Sequence, residues 1–283
     1  MENYDIREEA RQVLANLKGK YLLFLIPIVM QIFSTMNTIR VQWNTLGEEG
    51  MSNPALTNTT ALSANAPNLV WEFSGDIFNS AISILMSFIT LGILWTMLET
   101  IRGLRSEVTF KDSLRAFSSD HFGKVFATLF MKGLFLFLWS LPLLIGAVTV
   151  IVSAGFLLLD YLQEITLTID PNTVGLIFLA GALVSVLGLI PLIIKSYSYA
   201  MTEYILHDEI KNGTYTSARS CITASRHMMN GYKFQLFLLQ FSFIGWWLLV
   251  AVTFGLAAIY VIPYYNTTQT VFYNRLTKYL QTH

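Results

Sequence analysis

Lys132 is the only ionisable side chain inside the long apolar runs of this 283-residue sequence. Charge at membrane depth is costly, so an ionisable group there usually carries a proton or a coupled ion. Lys132 stands near the start of its run, where a flexible stem can return the ammonium to the interface. Anchoring is its expected role, and proton-driven transport is disfavoured. His207, Asp208 and Glu209 form the next ionisable run. Consecutive helical positions point in different directions and HExxH is absent, so these three predict a solvated turn rather than a metal site. Cys221, the single cysteine, lies near His227 with no nucleophile pattern around it and reads as a buried or interfacial thiol. GxSxG, P-loop and GxGxxG patterns are missing, and one cysteine allows neither an internal disulfide nor a Cys/His zinc set. The expectation is a non-enzymatic protein with no catalytic residue, cofactor or metal.

Uncharged polar residues are more promising. The stretch IPYYNTTQT places Asn266, Thr267, Thr268, Gln269 and Thr270 in the last apolar run. Thr can return its hydroxyl to a carbonyl one turn back, and Asn or Gln can bond to a neighbouring helix. Asn266, Thr267, Gln269 and Thr270 thus form a candidate intramembrane polar face directed at the bundle interior. It reads either as a groove for a lipid head group or peptide, or as interhelical glue aided by Gly181, Ser185 and Gly188; glue is the favoured reading. Pro27, Pro142, Pro191 and Pro263 each interrupt one run, and broken helices can build transporter sites, although proline is common in membrane helices. Arg102, Arg105, Lys111 and Arg115 make the densest basic patch, a candidate site for anionic lipid. Acidic residues alternate with them, which argues against nucleic acid.

The elements that must position these residues follow from composition. Hydrophobic residues make up 54% and charged residues 13%, where a soluble domain carries about a quarter charged. A helix needs about 20 apolar residues to span a bilayer. Such runs recur at 21–37, 77–98, 125–159, 173–194, 234–252 and 254–274, the last two joined by a tight turn near Gly255. The third is overlong and must tilt, kink at Pro142 or begin at the interface. Asp170 and Pro171 mark the start of the fourth. Residues 1–20 predict a cytoplasmic amphipathic helix with Ile6, Ala10, Val13, Leu14 and Leu17 on one face. Phe110, Leu114 and Phe117 predict a second helix lying on the membrane surface, and 203–233 a cytoplasmic amphipathic connection. Residues 38–76, rich in Asn, Thr, Ser and Ala, predict a flexible extracellular loop. With six spans every Lys and Arg but Arg40 lies on the cytoplasmic side with both termini, and the other face is acidic. Five spans, the alternative, would put Arg275 and Lys278 outside as well.

Three blocks, IPLIIKSYSYAMTEYILHDE, SRHMMNGYKFQLFLLQFSFIGWWLL and TFGLAAIYVIPYYNTTQTVFYNRL, together with the opening DIREEARQVLANLKGKY, resemble a bacterial membrane family known mainly from Gram-positive organisms, domain of unknown function 975. In that family the LWSLPLLIG-type block leads almost directly into an IPG-IIK-type block. Here an inserted hydrophobic hairpin separates Gly146 from Ile190, and Leu192 stands in place of the glycine. The resemblance implies a multi-pass protein of a bacterial cell membrane and carries no activity over to any residue. The expectation is therefore one integral membrane domain over 1–283, all-α: a bundle of six transmembrane helices with interfacial amphipathic helices. It would serve as an accessory or scaffold for membrane lipids or other membrane proteins, with a transporter or lipid-translocating protein as the alternative.

Overall fold

A computed structural model describes residues 3–51, 61–161 and 170–282, with the backbone alone given for 41–42, 44–51 and 61–80. The described elements are helical: α1 (Asn3–Asn16), α2 (Lys20–Leu23), α3 (Leu25–Met51), α4 (Ala61–Ile101), a 3₁₀ helix (Phe110–Phe117), α5 (Ser119–Tyr161), α6 (Pro171–Ser198), α7 (Thr202–Lys211), α8 (Ala218–Met228), α9 (Lys233–Phe241), α10 (Ile244–Val252) and α11 (Ala258–Thr282). They form two compact units, Met1–Phe122 with Leu238–His283, and Gly123–Phe237.

Among the described residues four stretches are long and apolar enough to cross a membrane: Ala81–Ile101, Ser119–Tyr161, Pro171–Lys211 and Lys233–Val252. The expected first and sixth spans fall on α2–α3 and α11, which are not among these four. The first is broken at Phe24, and Pro27 sits in the first turn of α3, where a missing N–H costs no helical bond. Helical backbone also runs into the 38–76 segment from both sides, through Met51 and from Ala61, where little fixed structure was expected. Polar side chains do not prevent a helix whose backbone bonds close within the segment itself. The centre of that segment, 52–60, and the acidic link 162–169 with Glu164 lie outside the described residues.

In the first unit α11 is the core. α1, α2, α3, α4 and α10 pack against it, and Tyr264, Val271, Phe272 and Leu276 are fully buried. Ile6, Ala10, Leu14 and Leu17 are buried as well, so the apolar face of α1 lies on protein rather than on a membrane surface. Lys20 Nζ donates to the Leu14 carbonyl at 2.6 Å and satisfies the end of that helix. Gly19 follows at φ 82°, and a Cβ there would run into the Val108 carbonyl. α4 ends in a Schellman motif: Gly103 N–H donates to Thr100 O, and Leu104 N–H to Glu99 O, both at 2.9 Å. That reversal folds the 3₁₀ helix back on α4, with the Ser113 backbone over Gly92 and the Phe117 ring 5.2 Å from Phe88. The 3₁₀ helix has two unlike faces. Ser113 and Ala116 are buried, while Phe110 and Leu114 are exposed at 37% and 39%. The turn expected near Gly255 is present, with Phe254 at φ 53° and Gly255 at φ 89°.

In the second unit α5 pairs antiparallel with α6 and α7. Lys132 meets Glu203, Lys195 lies over Trp139, and Gly188 and Gly181 face Leu143 and Thr149. Small residues let the two backbones approach: a Cβ on Gly188 would lie 2.5 Å from Leu143 N, and one on Gly146 would lie 2.5 Å from Ser185 N. α6 begins at Asp170–Pro171 as expected, but the Asp170 carboxylate accepts from the Asn172 side chain at 3.3 Å and makes no capping bond to the helix backbone. α5 has 43 residues, about 65 Å of helix, or about twice a hydrocarbon core. The sequence between Gly146 and Ile190 lengthens both partners of this pair.

Candidate functional site

The polar residues of α11 lie inside the first unit. Thr267, Thr268 and Thr270 are fully buried, and Asn266 and Gln269 are half-buried. Each of the three hydroxyls donates one turn back: Thr267 to Pro263 O at 2.7 Å, Thr268 to Tyr264 O at 2.7 Å and Thr270 to Asn266 O at 2.8 Å. Asn266 Nδ2 does the same to Ile262 O at 2.9 Å rather than reaching another helix. Pro263 has no N–H to give its own turn. The contacts between helices come from other residues. Arg275 donates to Glu9 at 2.6 Å, and Arg11 donates to the Tyr264 hydroxyl at 3.2 Å with its guanidinium 5.5 Å from the same ring. These contacts run α1 antiparallel along α11 from Arg275 up to Tyr264. The Tyr264 hydroxyl holds the Arg11 guanidinium above its ordinary pKa. Tyr264 also closes an aromatic group with Phe243, Trp246 and Tyr260.

Three of the four basic residues of the expected lipid patch have partners within the fold. Arg105 Nε and Arg115 Nη1 each reach Glu99 Oε2 at 2.7 Å, and Arg105 Nη1 reaches Asp112 at 2.8 Å. Glu99 is buried at 7%, which its two arginines make tolerable. Asp112 also accepts from the N–H and hydroxyl of Thr109, at 2.8 and 2.9 Å, closing a capping box. Burial alone would raise the Asp112 carboxyl; the Thr109 bonds and Arg105 outweigh it and hold it below its ordinary value. Arg102 bonds Asn274 Oδ1 at 3.4 Å. Lys111 is exposed, with no ion-pair partner among the described residues.

Lys132 does not merely reach for an interface: its ammonium lies 2.6 Å from Glu203 Oε1, both side chains mostly buried. His207 is not on a solvated turn either. It is 5% exposed within α7, with Nδ1 3.3 Å from Asp208 Oδ1, because α8 packs over α7 and covers it. Cys221 is fully buried and its thiol points at Glu209 Oε2, 3.2 Å away. Burial, with the Glu209 carboxylate second, pushes it up to about 12, so the thiolate that would act as nucleophile or ligand is disfavoured. Between α5 and α6 an apolar groove of about 360 Å³ is lined by Val148, Val152, Phe156, Val174 and Ile177, with Thr149 and Ser153 bonded to their own helix. Among the described residues no three His, Cys, Asp or Glu side chains come together as metal ligands would.

Glu99, Glu203, Asn274 and the Arg11–Tyr264 pair are the residues that sequence reading missed. Their partners lie beyond a chain reversal or far along the chain, outside the helical spacings that reveal ion pairs. Comparison with known proteins adds one positive finding: the family model described as Protein of unknown function (DUF975) matches residues 1–279. No curated protein and no solved structure matches.

Proposed function

The chain belongs to the DUF975 family, and from that premise we propose that it is a non-enzymatic membrane component, an accessory or scaffold that holds lipids or other membrane proteins. The observation that carries this reading is how the two units divide polar and apolar residues. The three threonines of α11 are buried and donate to their own backbone, which leaves little for a solute to bind. The α5 and α6–α7 stretches have only 6% and 11% of their most apolar windows buried, a large surface suited to lipid or another helix. Both termini fit the basic, cytoplasmic side, in a multi-pass bacterial cell membrane protein. The six-span count changes in one respect. α1 shows a charged outer face and lies against α11 from Arg275 to Tyr264, leaving Ala258–Pro263 too short to cross alone. In our reading α10 and α11 enter from the basic side and return to it, which satisfies the charge rule as six crossings would.

The test is purification from native membranes followed by identification of retained lipid and protein by mass spectrometry. A retained lipid class, or a partner at fixed stoichiometry, is expected. Retention of neither would sink the accessory reading. Substrate-dependent flux in proteoliposomes, lost in a folded Asn266→Leu, Gln269→Leu variant, would replace it with transport.

A further inference from the structure

Arg105 and Arg115 are engaged by Glu99 and Asp112, so the basic surface lies elsewhere. α2 packs on the 3₁₀ helix, Gly19 sits against Val108, and Lys18 and Glu107 form a backbone bridge. The α2 turn, the loop 102–109 and the 3₁₀ helix therefore make one surface. Tyr21, Leu22, Leu104, Phe110 and Leu114 stand out of it, between 37% and 58% exposed. Three lysines accompany them. Lys111 is exposed. Lys20 is bonded only to a backbone carbonyl and lies 5.4 Å from the centre of the Tyr21 ring. Lys18 has a single partner, Glu107 at 3.4 Å, with both side chains largely in solvent.

Bulky apolar side chains with lysines among them are the composition of a surface seated at the headgroup and acyl boundary, and anionic headgroups complement its charge. Tyrosine beside lysine is typical of that depth. The surface is also continuous with membrane-facing parts of the chain. It joins the start of α3, where Leu25, Val29 and Phe33 are exposed, and the end of the apolar stretch Ala81–Ile101. We infer that this surface binds anionic phospholipid of the adjoining leaflet, with Tyr21, Leu22, Leu104, Phe110 and Leu114 entering the acyl boundary and Lys20 and Lys111 holding phosphate groups. The inference rests on the membrane reading above and names the lipid class it leaves open.

Thermal unfolding of the full chain in neutral detergent, with phosphatidylglycerol, phosphatidylcholine or inorganic phosphate titrated in, tests it. Phosphatidylglycerol should raise the midpoint most and phosphate alone should not. The Lys20→Gln, Lys111→Gln variant should bind phosphatidylglycerol about five-fold more weakly per lysine, and Lys20→Arg, Lys111→Arg should keep the preference. The preference should also shrink between 0.1 and 1 M salt, as the Debye length falls from about 10 to about 3 Å; this reads out on the native chain even where a variant does not fold. Equal stabilisation by the two lipids, a response unchanged in the glutamine variant, or phosphate alone reproducing the shift would each overturn the inference. A chain that prefers phosphatidylglycerol yet carries solute flux would leave the inference standing and sink the accessory reading.

Discussion

α11 and the α5–α6 pair invert the usual relation between polarity and burial. α11 carries Asn, Gln and a run of threonines, is not among the stretches apolar enough to cross, and is largely enclosed by its unit. α5 and α6 are more apolar, and most of their side chains face outward. In water this arrangement would be unstable; in a bilayer, apolar surface gains nothing by leaving lipid. Helices there need another reason to associate. α5 and α6 associate through glycines that bring backbones together, and α11 through the rings of Phe243 and Trp246, Arg11 of α1, Arg102 just past α4, and its own Arg275 on Glu9. In α5 and α6 the most apolar surface is thus the most exposed, while the apolar stretch Ala81–Ile101 is half buried and α11 is enclosed by its packing partners.

The comparison can be broken most sharply at Glu99. Glu99→Ala should cost about 3 kcal/mol in chemical unfolding, because it strands two partly buried arginines, and protease sensitivity should rise first in the 102–118 segment. A loss under about 1 kcal/mol would mean that the 3₁₀ helix is held by packing alone. Gly188→Val tests the other side: the new Cβ meets the Leu143 backbone, which cannot yield as a side chain could. A loss of about 1–3 kcal/mol is expected, with cysteine cross-linking between α5 and α6 weakened and the α1–α11 contact intact. If both contacts loosened together, the two units would not be independent. The smallest effect is expected at Thr267→Val and Thr268→Val. Their hydroxyls serve only their own helix, so each should cost less than about 1 kcal/mol and leave lipid retention unchanged. A tenfold fall in retention without loss of stability would make the polar face a binding site.

Much of this was legible locally. The helix start at Asp170–Pro171, the turn near Gly255 and the shared face of Ile6, Ala10 and Leu14 follow from proline in a first turn, left-handed backbone and helical period, all short-range properties, although the Asp170 side chain makes no capping bond and that shared face lies on α11. Cys221 reads from sequence as buried or interfacial and is buried, beside a carboxylate that its neighbourhood in sequence does not reveal. Lys132, His207 and the basic patch were harder. Each was read from its own neighbourhood, while its environment is set by Glu203, by α8 and by Glu99, which come near only after the chain has reversed.

By itself the sequence determines that the chain is helical and that several of its helices suit a bilayer; these properties depend on side-chain type and on spacing within a few turns. Only the tertiary structure decides which polar groups are satisfied and which surface is left over. It puts α1 on α11, encloses the threonines, ties Lys20 to the end of α1 and leaves Lys111 and its apolar neighbours exposed. The physical reason is that a charge or hydroxyl has no fixed meaning until its partner is placed, and here most of the partners lie on other helices.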